Sequence, residues 1–582
     1  MNQLKRCNGQ ENAITLIALV ITIIVLLILA GVTIVTLTGD NGIMKQTQNA
    51  KEQNAIGEEK EKIKLAILSQ RSDQSINELT KQGLQQELAN DNVRVLKEED
   101  DFIIQFTLTN RSYKIGANGE IEGPIYIELP KKENAGDITI DGYGNVLEGT
   151  TENPYQISCV EDLMNFSARL QNTTFSGKTI VLTRNINIAS ELSYVDASTT
   201  KYGDINENGE VEELITELTT GKGFTPLKTF EGTFDGRQNE IQNLYINRKT
   251  ESALFTVLSK NGIIKNLGIT GVVQSTYFAS GIVTYLSGGR IDNCYNKANI
   301  TGKTMVGGII AQINAGDSNA SVKNCINYGE VKIEASAWQY GGAGGITGCL
   351  SIGEIENCSN RGKINGEYRC GGISGTVNGS NLSIKNCENY GEVNTDSSTA
   401  GGIVGFVQGT VTILNSINFG AIQAKGVAGG MVGSFSGVNW DMILELTIMN
   451  SANLGTVISQ ATVGGIVGNE GNTSQKISLS IENCYQTGRL TASSMIGGIL
   501  GSVTYNSRTD TTVIVKNNYY LDTTASIGIN ASKVIENMPI AYNSEFLKST
   551  EFIELLNSNR QEHTEWLVWK QGEDNFPVPI NE

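Results

Sequence analysis

Residues 401–422 read GGIVGFVQGTVTILNSINFGAI: a Gly-Gly-Ile-Val-Gly box, a short β-branched run, an Asn-Ser-Ile-Asn box and a closing Gly-x-Ile. The first box recurs with its first residue at Ser280, Gly307, Gly344, Gly371, Gly401, Gly429, Gly464 and Gly497. Each is followed by an Asn box beginning at Asn293, Asn324, Asn357, Asn386, Asn415, Asn450, Asn483 or Asn517. Units close on Gly-x-Val, as in Gly329-Glu330-Val331 and Gly391-Glu392-Val393. Three short strand signals per unit, separated by Gly and Asn and repeated every 27 to 37 residues, predict one coil of a solenoid per unit. A single coil cannot bury its own apolar face, so the stack has to supply the core.

Two columns carry the chemistry expected of that core. Directly after the Asn stand Cys294, Cys325, Cys358, Cys387, Ser416, Ser451 and Cys484. Two further on stand Asn296, Asn327, Asn360, Asn389, Asn418 and Asn453. Stacked Asn amides at a bend bond the turns above and below, satisfying backbone groups that the bend leaves unpaired. Nine cysteines in an exported chain would ordinarily suggest disulfides. Five of them share one column, so a ladder of buried, unpaired thiols is expected instead.

These boxes resemble GLUG repeats, which occur in bacterial surface and secreted proteins and in the non-catalytic part of some IgA-protease-type enzymes. The likeness begins upstream with Asn153-Pro154-Tyr155-Gln156-Ile157, Glu161-Asp162-Leu163, Gly232-Thr233-Phe234-Asp235-Gly236 and Ile264-Lys265-Asn266-Leu267-Gly268. It reaches a tail with Asn517-Asn518-Tyr519-Tyr520 and Phe576-Pro577-Val578. The resemblance implies a right-handed parallel β-helix and no single activity.

At the other end, residues 13–37 read AITLIALVITIIVLLILAGVTIVTL, with no charged side chain, behind a leader carrying Lys5 and Arg6. Roughly 20 apolar residues span a bilayer core as a helix, and the positive leader predicts that everything after Asp40 is exported. The segment resembles the N-terminus of type IV prepilins and pseudopilins. The resemblance implies cleavage between Ala13 and Ile14 by a prepilin peptidase and methylation of the Ile14 amine. The fifth mature position, usually Glu in major pilins, is here Ala18, which counts against incorporation into a pilus-like assembly. An uncleaved anchor or a secretory signal is the plainer alternative. Past a turn-forming run at 38–42, an amphipathic helix (52–68), a second helix (75–89) and strands at 102–108 and 113–115 suggest a small pilin-like region or a generic spacer.

The formal net charge of −17 disfavours nucleic acid as a partner. A single histidine, His563, disfavours zinc hydrolases and His-based triads. No cofactor is expected, with one exception. Asp204-Ile205-Asn206-Glu207-Asn208-Gly209 matches the start of a calcium loop, making Asp204, Asn206 and Asn208 candidate ligands. Position twelve of that loop is Ile215 where an acid belongs, and a metal-free acidic insertion is the alternative.

The repeat spacing is asymmetric. From each Asn box to the next Gly box the intervals are 14, 20, 14, 15, 14, 14 and 14 residues; from each Gly box to its Asn box they are 13, 17, 13, 15, 14, 21, 19 and 20. Extra length at one corner of successive coils predicts a protruding edge, the usual binding face of a solenoid. It holds Asn439, Trp440 and Asp441; Asn469, Glu470 and Asn472; and Tyr505, Asn506, Arg508 and Asp510, which suit a sugar ring stacked on an aromatic and hydrogen-bonded at its rim. Ordinary polar β-arc extensions are the alternative.

The expected organisation is a leader (1–13), a transmembrane or pilin-like helix (14–38), a small α+β region (39–122), a linker (123–136), N-terminal β-helix coils with an insertion (137–279), the repeat β-helix (280–525) and a C-terminal cap (526–582) in which Trp566 and Trp569 close the last coil. The fold class is mainly β. The expected function is that of an envelope-anchored or pilin-like bacterial surface protein that binds a glycan or protein ligand. It is expected not to be an enzyme, because the columns offer Asn, Gly, Thr and Ser where a polysaccharide lyase or glycoside hydrolase needs clustered acids. That enzyme class and a minor pseudopilin of a secretion or DNA-uptake system are the alternatives.

Overall fold

The computed structural model describes residues 43–580 except 73–78, 81–82, 85–86, 89–92, 99–100, 107–110, 117–118, 126–135, 142–144, 189–220, 315–319, 335–340, 438–443, 471–476, 504–510, 532–536 and 561–562. The apolar N-terminal segment, its cleavage site Ala13–Ile14, and most of the expected second helix lie outside the described residues. Among those described, no helix is long and apolar enough to cross a membrane. The chain divides into two compact units, residues 1–129 and 130–582.

In the first unit a helix, Ile43–Ser72, buries Glu59, Ile63, Ala66, Ile67 and Gln70, the spacing of one helical face. It accompanies a four-stranded antiparallel meander of Val93–Glu98, Asp101–Phe106, Arg111–Ile115 and Ile121–Ile125. Glu59 is the polar hinge of this small core: Arg111 donates to both carboxylate oxygens at 2.8 and 2.9 Å and the Tyr113 hydroxyl donates at 2.7 Å. Burial and that hydrogen bond push the Tyr113 phenol well above its ordinary range. The sequence suggests only the two inner strands; Val93–Glu98 and Ile121–Ile125 complete the meander, and the latter runs into the expected linker.

The second unit is a parallel β-solenoid. Strands pair coil on coil: Val404–Val407 lies between Ser374–Val377 and Val432–Phe435, and the first strands of the Gly boxes form one eight-stranded ladder from Ala279–Ser280 to Met495–Gly497. The Gly boxes are tight because their central residue plunges inward: Ile282, Ile309, Ile346, Ile373, Ile403, Met431, Ile466 and Ile499 are all completely buried. The flanking glycines give the backbones room. A Cβ on Gly402 would stand 2.2 Å from the Gly430 carbonyl oxygen and 2.3 Å from Asn418 Cγ, so the second Gly of one box and the Asn of the other are fitted to each other.

The N-terminal end of the core is closed by a helix, Val160–Arg169, which buries Val160, Leu163, Met164 and Phe166. Phe166 meets Phe175, Phe230, Phe234 and Phe255 at ring separations of 5.1 to 6.4 Å. Asp162, fully buried, ties the helix down by accepting from the Gly136 and Ser158 amides and the Ser158 hydroxyl.

The C-terminal segment corrects an expectation. Trp566 and Trp569 do not close the last coil. After strands Ile529–Ala531 and Ile540–Tyr542, the chain folds back as two short helices, Ser544–Leu547 and Thr550–Ser558, and a hairpin, Val568–Gln571 with Pro577–Ile580. This strap lies along the flank of several coils, packing Leu547, Phe552, Leu556 and Trp569 on Ala452, Tyr485 and Tyr519.

Candidate binding edge

The corner itself is built from two asparagine columns. In the inner column, Asn296, Asn327, Asn360, Asn389 and Asn418 each donate from Nδ2 to Oδ1 of the next coil's Asn at 2.7 to 2.8 Å, ending on Asn453. The second amide hydrogen goes to the carbonyl two residues on, as from Asn360 to Gly362 at 2.9 Å. In the outer column, Asn293, Asn324, Asn357, Asn386, Asn415, Asn450, Asn483 and Asn517 all adopt left-handed φ between 49° and 55°. Asparagine tolerates that conformation better than any residue but glycine, which explains why each coil turns on it.

Between the columns the cysteines are free and buried, as expected. Each sulfur donates to the carbonyl two residues back, as Cys358 does to Glu356 at 3.3 Å, and the same positions accept amides from the preceding coil: Cys325 N–H to Cys358 Sγ at 3.4 Å, Cys387 N–H to Ser416 Oγ at 3.2 Å. Burial pushes Cys325 and Cys387 well above the ordinary thiol range and Cys484 up to about 12. Those three thiols are therefore neutral and poorly nucleophilic.

Around the preceding bend the lengthened corner takes shape. The strands before it end in register at Phe435, Glu470 and Val503, and those after it begin in register at Leu444, Ile477 and Thr511. Three successive connections, 436–443, 471–476 and 504–510, therefore leave and return at stacked positions on one edge. Part of the extra length is strand: Leu444–Met449, Ile477–Glu482 and Thr511–Lys516 have six residues each, against three in Ser321–Lys323 and Glu354–Glu356. The candidate residues Asn439, Trp440, Asp441, Asn472, Tyr505, Asn506, Arg508 and Asp510 lie outside the described residues, as do Asp204, Asn206 and Asn208.

Two residues at the base of this edge carry a signal. Gln408, one coil before Ser436, is 2% exposed, and neither its Oε1 nor its Nε2 has a hydrogen-bond partner among the described residues. Asn469, of the second candidate group, holds its Oδ1 buried and without a hydrogen-bond partner among the described residues, while its backbone pairs with Ser434 and Ser502. A buried amide without partners costs about 1–3 kcal/mol, so Gln408 is an expensive residue for a merely structural bend. Sequence reasoning passed over it because its coil has an ordinary length. Asp235, of the Gly-Thr-Phe-Asp-Gly box, accepts from Arg237 N–H at 2.9 Å and Asn266 Nδ2 at 3.0 Å and pairs with Lys265 at 3.2 Å, as a turn residue does.

No family model matches the chain. Over 186 residues, 32% of its length, it is 26% identical to halomucin of Haloquadratum walsbyi, of which the matched part is 2%. Among solved structures it is similar to a Bacteroides ovatus protein named as an immunoglobulin A1 protease, with 21% identity, 76% of this chain and 98% of that one covered, and a TM-score of 0.34. It is also similar to an IgA1 protease, with 16% identity, 77% and 30% covered, and a TM-score of 0.31.

Proposed function

We propose that this is an envelope-anchored or pilin-like bacterial surface protein whose β-solenoid carries a binding edge for a surface glycan or protein ligand, and that it acts by adhesion and not by catalysis. The observation that carries the reading is the stack of three connections leaving one edge in register, with the Gln408 amide buried at its base and without a partner among the described residues. Rows of identical small residues hold the coils in place, so the connections at this edge can vary in length without disturbing them. An apolar anchor at 13–37 supports placement at the envelope, and the helix with antiparallel meander in 43–125 suits a pilin-like spacer. Processing by a prepilin peptidase and calcium held at Asp204, Asn206 and Asn208 belong to the same proposal.

Shortening the three connections to the length of residues 408–409 tests it on arrays of purified glycans and matrix proteins. Binding by the intact chain and none by the shortened one, at nearly equal melting temperature, is the expected result; equal binding by both would overturn the reading. Gln408→Leu sharpens it. Replacing an unpartnered buried amide by an apolar group should hold or raise stability, while weakening binding if the amide faces ligand.

A further inference from the structure

An asparagine side chain has two amide hydrogens to donate and two oxygen lone pairs to fill. Under the C-terminal strap the outer column fills all four. Asn415 donates to Asn386 Oδ1 and Glu565 O and accepts from Asn450 Nδ2 and Leu567 N–H, at 2.7 to 3.0 Å. Asn450 donates to Asn415 Oδ1 and Leu567 O and accepts from Asn483 Nδ2 and Trp569 Nε1. One donor and one acceptor of each residue thus join coil to coil, and the other pair holds the strap, mostly by its backbone.

Upstream the same column is only half used. Asn324 donates to Asp292 Oδ1 at 2.8 Å and accepts from Asn357 at 3.3 Å, Asn357 accepts from Asn386 at 3.0 Å, and Asn386 accepts from Asn415 at 3.0 Å. Among the described residues, the second hydrogen and second lone pair of these three have no protein partner, and Asn324 and Asn357 stand exposed. Their φ values of 53° to 55° match the 51° and 49° of Asn415 and Asn450. With the same backbone and the same ladder bond, the unfilled pair lies on the line that the strap follows.

We propose that the flank from Asn324 to Asn386 is a docking site for a short, extended, polar polypeptide segment of a partner protein, held as the strap is held. Each asparagine donates its second hydrogen to a peptide carbonyl and accepts a peptide N–H. The site continues the strap interface without a break, because Asn386 is bonded directly to Asn415. Three stacked asparagines span roughly 10 Å, about three residues of extended chain. The floor beside the column sets the chemistry of the segment. The strap packs on Ala452, Tyr485 and Tyr519, whereas the same row upstream reads Ile326, Ser359 and Glu388 and is flanked by the exposed Tyr328 and Tyr390. A strap built like the chain's own, with Trp569 buried, does not suit that floor; a polar segment does.

The test is selection of phage-displayed random peptides on the full-length chain in detergent, followed by titration of the selected peptides. Peptides are expected whose affinity falls about tenfold or more on Asn357→Gly, which deletes two hydrogen bonds to the segment. Glycine adopts the left-handed conformation freely, so the melting temperature should stay close to the parent's. Methylating the backbone nitrogens of such a peptide one at a time should find one whose loss weakens binding as much. The variant with shortened connections at the other corner should bind these peptides as the parent does, which separates this site from the edge. Failure to select such a peptide, peptides indifferent to Asn357→Gly, or affinity lost with the shortened connections would overturn the site. So would a glycan, in place of peptides, whose binding Asn357→Gly removes. Should Asn357→Gly not fold, Asn324→Gly decides by the same loss.

Discussion

The inner and outer asparagine columns lie three residues apart in the six coils that carry both, yet they hold the corner for different reasons. In the inner column the side chain matters: each amide serves the next coil and its own bend, and Asn296, Asn327, Asn360, Asn389, Asn418 and Asn453 are completely buried. In the outer column the backbone matters: the residue is there because φ is positive, and its amide bonds in the opposite direction, toward the preceding coil, as Asn386 does to Asn357 at 3.0 Å. One amino acid repeated in sequence thus performs two physical tasks, one dependent on hydrogen bonds and one on conformation. Substitutions that remove only one of these separate them.

The largest effect is expected inside. Asn360→Ala deletes the acceptor for Asn327 Nδ2 and the donors to Asn389 Oδ1 and Gly362 O. Each stranded buried partner costs about 1–3 kcal/mol, so a loss of ~3 kcal/mol or more is expected from denaturant unfolding. A loss below ~1 kcal/mol would mean that the ladder is filler.

An intermediate effect is expected where the outer column is covered. Under the strap, Asn415 accepts from Leu567 N–H and donates to Glu565 O, both at 3.0 Å, while Asn450 donates to Leu567 O at 3.0 Å and accepts from Trp569 Nε1. Upstream, Asn324 and Asn357 occupy the same position in the open. Asn450→Ala should therefore cost about 2 kcal/mol, the left-handed strain plus the stranded strap groups, and should make residues 543–580 sensitive to limited proteolysis. Asn357→Ala leaves its Asn324 and Asn386 partners to water instead of stranding them, so it should cost mainly the strain, ~1 kcal/mol, and Asn357→Gly clearly less. If Gly and Ala behave alike at 357, conformation is not what the outer column supplies.

Much of this corner was legible because a solenoid writes its contacts as columns: the stacking of Asn296 to Asn453 and the free thiols of Cys294 to Cys387 follow from spacing. What spacing could not express was unrepeated. The bond from Trp569 to Asn450 joins residues 119 positions apart with no period to announce it, so the strap was taken for an end cap. The lengthened corner was visible as a count, but the count could not divide six-residue strands from connections. Gln408 was missed because a lone amide in a coil of ordinary length differs from its neighbours only in being buried without a partner.

The smallest effect is expected between the two columns, where the thiols sit. Cys358 takes the Cys325 amide and donates to Glu356 O, and in later coils Ser416 and Ser451 do the same work: Ser416 donates to Leu414 O at 2.9 Å, and Ser451 accepts the Ser416 amide at 3.0 Å. The chain therefore contains its own control for replacing sulfur by oxygen. Cys358→Ser keeps both hydrogen bonds, so it should shift stability by less than ~1 kcal/mol, far less than Asn360→Ala two residues away. In the parent, the eight described thiols are unpaired and seven are buried, with burial holding Cys484 near 12 and Cys349 near 11. Because burial keeps reagent from all seven, their alkylation should be negligible in the folded chain at neutral pH and complete on unfolding without reductant. Labelling of Cys358 in the folded chain, or a Cys358→Ser penalty as large as that of Asn360→Ala, would mean that the thiol column is a third structural element in its own right and not a spacer between two asparagine ladders.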